Sequence, residues 1–432
     1  MRRRIQTLVE QWPSTVLTTW AVAASFATYF CMYAFRKPFT AGLYPGEAVF
    51  GGLLELKTVF VISQIIGYTV SKYAGIKICT EVSRRQRLSF LIGAIAIAEA
   101  ALLLFAVLPN PWKIVAIFLN GLPLGMVWGF VVAYLEGRRA SEIQLAGLSC
   151  SFIIASGVVK DVGRSILSQG VPEYWMPFVT GAVFLPFFML SAFVLDMLPD
   201  PNRADIEERV LRRPMTGKER WDFIRRFAVG LSLLLVVYFA LTAYRDFRDN
   251  YGVELFKSLG YEKAPGVFTK TEFWVAFGVL ATLIPISWIR NNRLALLAVY
   301  GLLIGGCVLI GASGLLLQAG WISGFTWMIL VGLGGYLAYV PYGSVLFDRL
   351  VAATRTVGTA VFAIYVCDAV GYTGSTVLQL YKDIFQAKAT RLEFFIQFGY
   401  VLCVCGIVLL AISYVDFARA AKKAESTAVR AS

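Results

Sequence analysis

The chain contains no histidine. Imidazole is therefore missing as a metal ligand, a haem ligand and a general base. Its cysteines (Cys31, Cys79, Cys150, Cys307, Cys367, Cys403 and Cys405) include no Cys-x-x-Cys pair. They read as small apolar packing residues. Zinc and haem sites thus have little support. No Gly-x4-Gly-Lys-Ser/Thr string occurs, so the glycines form no phosphate loop. No nucleophile–base arrangement stands out either, which makes a membrane-embedded enzyme the weakest reading. No cofactor and no metal are expected. Charge is also scarce: 16% of residues are Asp, Glu, Lys or Arg, against about 25% in soluble domains. That leaves no room for a large soluble domain.

What fills the chain is apolar. It is 58% hydrophobic over 432 residues, with a mean hydropathy of +0.68. The apolar residues fall into stretches of about 20, the length that crosses a ~30 Å hydrocarbon core as helix. Twelve spans are expected, near 14–44, 48–73, 88–108, 113–136, 144–168, 174–197, 226–257, 269–289, 294–318, 323–347, 356–381 and 393–416. The fold class is an all-α polytopic membrane protein. The first and seventh stretches exceed one bilayer and would tilt or project. Arg2–Arg4 precede a long first span with no small-residue cleavage site, so this reads as an uncleaved first helix.

Lys and Arg set the orientation. With both termini inside, most of them fall on inner segments: Arg2–Arg4, Lys72–Arg87, Arg138, Arg139, Arg203–Arg226, Arg290, Arg293, Arg349, Arg355 and the tail. This is the positive-inside pattern. It makes the formal net charge of +13 mostly a topogenic signal and argues against a nucleic-acid partner. The expected location is the plasma membrane, specifically a bacterial inner membrane.

The one long hydrophilic stretch, Pro199–Arg226, carries both charge signs with Pro201 and Pro214. It divides the spans six and six. The expected organisation is a six-helix bundle over 1–198, a cytoplasmic linker over 199–225, a second six-helix bundle over 226–418, and a cytoplasmic tail over 419–432. The halves repeat each other. At an offset of 211, Gly121-Leu122, Arg138, Gly147, Val159, Gly163 and Leu167 match Gly332-Leu333, Arg349, Gly358, Val370, Gly374 and Leu378. At 212, Phe35-Arg36 matches Phe247-Arg248, and at 213 Lys57-Thr58-x-Phe60 matches Lys270-Thr271-x-Phe273. Six-plus-six repeats predict a substrate site near the midplane between halves, with alternating access.

Three stretches then resemble one family. They are Tyr33-Ala-Phe-Arg36-Lys37-Pro-Phe39, Asn120-Gly121-x3-Gly125-Met126-x-Trp128, and Asp368-Ala-Val-Gly371-Tyr372-Thr-Gly374-Ser375, with Pro341-Tyr342 also fitting. Together they resemble the organophosphate:phosphate antiporters of the major facilitator superfamily, the exchangers of glycerol-3-phosphate and sugar phosphates. The resemblance implies the superfamily fold, twelve transmembrane helices in two six-helix bundles. It also implies an anionic substrate met by arginines. Two features depart from the pattern. The loop after the second span, Gly67-Tyr-Thr-Val-Ser71-Lys72-Tyr-Ala-Gly75-Ile-Lys77, lacks the superfamily's aspartate. The histidine that family members can carry in the fifth span is absent.

Cations are expensive in hydrocarbon, so each charged residue in a span carries information. Arg36 ends the apolar run Val16–Phe35 on the side the positive-inside rule disfavours, and the repeat reproduces it. A guanidinium forks two hydrogen bonds to phosphate. Its bland reading is a snorkelling flank. Arg245 and Arg248 share a helix face; family alignment favours the first and the repeat favours the second. Asp249, four residues after Arg245, is expected to pair with it. Lys160, Asp161 and Arg164 form either an outer-end charge cluster or a second phosphate contact and gate. Asp368 stands near mid-bilayer, where it must be paired, protonated or wet. Pairing with a basic residue would make it a coupling group. Lys57 and Lys270 occupy equivalent span starts, where Lys270 reads as an interfacial snorkel. Tyr33 and Trp128 are candidates through the family motifs alone. The substrate-binding set is therefore Arg36, Arg245, Arg248, Lys160, Tyr33, Trp128 and Lys57, and the coupling or gating set is Asp368, Asp161 and Asp249.

The reading is a secondary transporter for a small anion such as phosphate or an organophosphate, working by alternating access and exchange. Its expected partners are that small molecule and the lipid bilayer, with a monomer compatible with the sequence. Two alternatives stay open. One is a proton-coupled carrier of a neutral or cationic solute using Asp368 and Asp161. The other is a non-transporting sensor on the same fold.

Overall fold

The computed structural model describes residues 12–45, 48–49, 54–135, 141–200, 217–354 and 360–431. Most of the 199–225 linker, and Arg138, Arg139 and Arg355 of the orientation argument, lie outside the described residues.

The described residues are almost wholly helical. Ten helices are long and apolar enough to cross a membrane: Ser14–Arg36 (α1), Arg84–Val107 (α3), Trp112–Leu135 (α4), Gln144–Ser168 within α5 (Ser141–Ser168), Met176–Asp196 (α6), Ala228–Asn250 (α8), Val267–Ser287 (α10), Asn292–Gln318 (α11), Gly324–Ser344 (α12) and Arg391–Lys423 within α15 (Arg391–Ala431). The chain is a multi-pass membrane protein. Leu56–Glu81 (α2) and Ala360–Phe385 (α14), expected as spans 2 and 11, are 26 residues each but are not among those ten. α2 carries polar side chains such as Lys57, Gln64 and Lys72, and α14 carries Asp368 and Gln379; all five pack inside. The described residues also form three shorter helices: Gly217–Arg226 (α7), Gly252–Ser258 (α9) and Leu346–Thr354 (α13).

Several expected boundaries move, each for a local reason. The first span stops at Arg36 instead of residue 44. Pro38, which cannot donate a backbone bond, starts a 3-10 turn over Pro38–Ala41. Where a helix was expected from residue 48, Ala48–Val49 and Leu54–Glu55 form a short antiparallel pair (β1 and β2), with Ala48 opposite Glu55. The helix begins only at Leu56 and then runs through the expected inner loop to Glu81. A capping box of Ser83 and Gln86 opens α3, satisfying backbone donors that the first turn leaves over. The seventh stretch breaks at Tyr251, between Asn250 and Gly252, into α8 and α9. Prolines sit inside α4, α6, α10 and α12, where packed neighbours tolerate them.

Two compact units divide the chain. Unit 1 holds Met1–Glu208, Asp249–Ala276 and Thr376–Ala389, and unit 2 holds Arg209–Arg248, Phe277–Ser375 and Thr390–Ser432. In unit 1, glycines let backbones touch. A Cβ at Gly121 would lie 2.3 Å from the Gln64 carbonyl oxygen, and one at Gly125 2.5 Å from that of Tyr68. This close α2–α4 seam is what the Gly121-x3-Gly125 spacing provides. In unit 2, Gly306 and Gly334 do the same for α11 and α12.

Candidate functional site

Arg36 is held from behind. The last carbonyls of a helix have no intrahelical donor, and here they are buried. Gln64 Nε2 donates to the Arg36 carbonyl at 2.8 Å and to Asn120 Oδ1 at 2.7 Å. Asn120 Nδ2 donates to the Phe35 carbonyl at 2.9 Å and the Ala98 carbonyl at 3.0 Å. Four helices thus meet at the end of α1. The glycine seam that brings α2 against α4 also presents the Tyr68 ring to Arg36, whose guanidinium carbon lies 3.8 Å from the ring centroid. Tyr33 lies 5.7 Å from it. A desolvated cation–π contact of this kind contributes about 2 kcal/mol. Tyr33 packs on Tyr29, which packs edge-on against Trp128 at 5.0 Å, and both reach Phe152. Of the family-motif aromatics, Tyr33 therefore touches Arg36 directly, and Trp128 belongs to the aromatic wall behind it.

A second polar cluster in unit 1 gathers the other expected cations. Asp249 pairs with Lys37 at 2.5 Å and with Lys160, and it accepts from Ser156. Lys37 also donates to Asn250 Oδ1 at 2.8 Å. Lys57 pairs with Glu254 at 2.7 Å and donates to the Thr40 carbonyl at 2.9 Å. The Tyr251 hydroxyl shares a bond with Thr58 at 2.9 Å. The expected Arg245–Asp249 pair is not formed, because the carboxylate is taken by two lysines. Asp161 accepts from the Thr269 backbone N–H at 2.7 Å and its hydroxyl at 2.6 Å. Those are the bonds of a cap on the first turn of α10. The repeat-related lysines part company: Lys57 is buried, whereas Lys270 is exposed.

Unit 2 holds a different chain of contacts. Arg245 pairs with its neighbour Asp246 at 2.7 Å and lies 4.1 Å over the Tyr339 ring. Tyr339 stacks on Tyr238 with centroids 5.0 Å apart, and the Tyr238 hydroxyl donates to Asp368 Oδ1 at 2.7 Å. Gly371 and Gly374 make this possible. Their Cβ positions would lie 2.5 Å from Thr242 Oγ1 and 2.6 Å from the Phe239 carbonyl oxygen, so α14 rides close on α8. Arg248 donates to the Met328 carbonyl at 2.9 Å, a contact that ties α8 to α12.

Sequence reasoning missed Gln64, Tyr68, Tyr238, Tyr339 as a stacking partner, and Lys37 and Glu254 as ion-pair partners. Only Lys37 had a local signal, its place beside Arg36 in the motif. An apolar hollow of about 680 Å³ lies between α1 and α6, lined by Trp20, Phe26, Phe30, Phe184, Phe187 and Leu190 among others. None of the expected site residues lines it.

The model of a family of unknown function, DUF5690, matches residues 38–420. The chain belongs to that family. No curated protein matches the sequence. Among solved structures, the human organic anion transporter MFSD10 (TETRAN) is similar at a TM-score of 0.58 and 13% identity, over 92% of this chain and 100% of that one. At that identity the likeness speaks for fold alone: the two chains share one helical membrane fold.

Proposed function

We propose that this protein is a secondary active transporter of a small anion, a phosphate ester or phosphate itself, and that it exchanges anions by alternating access. Arg36 in unit 1 and Arg245 in unit 2 are the anion-binding groups. The observation that carries this reading is that each unit seats a buried arginine over a tyrosine ring, with the guanidinium carbon 3.8 and 4.1 Å from the ring centroid. A planar guanidinium can rest on a ring and still fork two N–H bonds onto an oxyanion. Three further points support it. The motifs around Arg36, Asn120 and Asp368 resemble those of the organophosphate:phosphate antiporters, the solved neighbour is titled an organic anion transporter, and nothing in the sequence supports catalysis.

Arg245 is preferred to Arg248 because it lies over a tyrosine ring as Arg36 does; each already gives a donor within the protein, Arg245 to Asp246 and Arg248 to the Met328 carbonyl. Lys57, Lys160 and Asp249 serve as a structural ion-pair cluster with a gating role, and Asp161 as a helix cap. Asp368 tunes the Tyr238–Tyr339–Arg245 chain. The protein has twelve spans, two six-helix halves and both termini on the cytoplasmic side of a bacterial inner membrane.

Counterflow in proteoliposomes tests the reading. Protein preloaded with phosphate is offered labelled phosphate and a panel of phosphate esters and carboxylates. Arg36→Ala and Arg245→Ala each abolish anion exchange, while Arg248→Ala retains it. Wild-type exchange by both of the first two variants refutes the assignment. Uptake driven by pH, of a neutral or cationic solute and indifferent to Arg36→Ala, would favour a proton-coupled carrier with Asp368 as its titrating group.

A further inference from the structure

Neither arginine site uses the carboxyl group that the fold buries most awkwardly. Glu99 lies on α3, about 22 Å along the axis from Arg84 and about 12 Å from Val107 at 1.5 Å per residue. It is therefore well within the hydrocarbon depth. Its methylene stem is partly exposed, but the carboxyl head turns inward. Both carboxyl oxygens are buried without a hydrogen-bond partner. The head fills a notch in α6. A Cβ at Gly181 would lie 2.1 Å from Glu99 Oε2, so a side chain there would force the carboxyl out of its place.

No charge offsets this carboxyl among the described residues. The helices packed on α3 are α4, α6 and α1. On α4, Lys113 donates to the Phe105 carbonyl, and Tyr134 donates to Asp196 at the far end of α6. That aspartate is the charged residue α6 brings. On α1, Arg36 lies over Tyr68, while Tyr29 and Tyr33 pack in the aromatic wall and Cys31 is buried. On α3 itself, Arg84, Arg85 and Arg87 stand at the opposite end. An ionised carboxylate with no cation and no donor costs several kcal/mol in such surroundings, far more than the neutral acid.

We propose that Glu99 is a proton-binding site of unit 1, separate from both arginine–tyrosine stacks. Its carboxyl carries a proton in the notch and exchanges it with water when Gly181 and the α6 turn around it move off the carboxyl. Because position 181 has no side chain, the carboxyl lies directly against the α6 backbone there, and a displacement of that helix uncovers it. The ligand is a single proton. The site stands on geometry independent of the anion reading.

Infrared spectroscopy of the full chain in liposomes tests it. At neutral pH the wild type shows a carboxylic-acid carbonyl band that shifts in D2O and is lost in Glu99→Gln. The amide occupies the volume of the neutral acid, so Glu99→Gln keeps the wild-type melting temperature. A second measurement needs no variant: dicyclohexylcarbodiimide, which reacts with protonated carboxyls in apolar surroundings, labels Glu99 in the wild-type peptide map, and the label declines as pH rises. The proposal is overturned if Glu99→Gln leaves the acid band intact, if the band never shifts in D2O, or if Glu99 takes no label at neutral pH.

Discussion

Asn120→Leu tests the geometry around Arg36 without reference to any substrate. Leucine has the same branched outline as asparagine, is larger, and can neither donate nor accept. The change deletes two donated bonds, to the Phe35 and Ala98 carbonyls, and one accepted from Gln64. The Ala98 carbonyl sits mid-helix and keeps its own ladder partner. The Phe35 carbonyl does not: beyond α1 the backbone bonds go to the Tyr33 and Lys37 carbonyls. It is left buried and unpaired. Net loss of about 1 kcal/mol per bond, plus about 1–3 kcal/mol for the orphaned carbonyl, gives roughly 4–6 kcal/mol. The added apolar contact of leucine returns about 1 kcal/mol. The net destabilisation of about 3–5 kcal/mol corresponds to a fall in melting temperature of roughly 6–20 °C at ~2–4 °C per kcal/mol. Thermal unfolding in detergent, followed by reaction of a maleimide dye with the buried cysteines, reads it directly. A fall of under about 1 °C would mean that Asn120 does not hold the end of α1, and the account of how Arg36 is positioned would fail.

Asp249→Asn leaves the buried Lys37 and Lys160 without their carboxylate, and loss of one member of a buried ion-pair cluster costs about 3–5 kcal/mol; the same thermal assay is expected to show a fall comparable to that of Asn120→Leu. Gly121→Ala places a methyl 2.3 Å from the Gln64 carbonyl oxygen, a backbone atom that cannot swing away. It should cost about 1–3 kcal/mol by overpacking and weaken anion exchange by displacing Tyr68. At Tyr339, Phe keeps the ring under Arg245 whereas Leu removes it. Tyr339→Leu should therefore lose about 2 kcal/mol of cation–π contact, roughly 30-fold in apparent anion affinity, with Tyr339→Phe within about threefold of wild type. Equal losses in the two variants would show that the hydroxyl matters and the stack does not.

The residues that were legible in the sequence share one property: their signal is local. Arg36 announces itself as a cation at the end of an apolar run. Gly121 and Gly125 do so by small-residue spacing, and the ten apolar helices by length. What was not legible depends on pairs distant in the chain. Asp249 sits four residues from Arg245, the spacing that makes helical neighbours, yet its partners are Lys37 and Lys160, more than two hundred and about ninety residues away. Helix geometry allowed the near pair, and tertiary packing supplied a better one, in which a single carboxylate offsets the desolvation of two buried ammonium groups. The same competition explains the break at Tyr251. There the chain leaves the expected long helix, and the turn sets Tyr251 and Glu254 against Thr58 and Lys57. Glu99 is the opposite case. A lone glutamate amid alanines and isoleucines matches no motif and has no counterpart in the repeat, so nothing in the sequence singles it out. Its meaning lies in what is missing around it, a donor, a cation, and a side chain at position 181. Only packing can reveal that kind of absence.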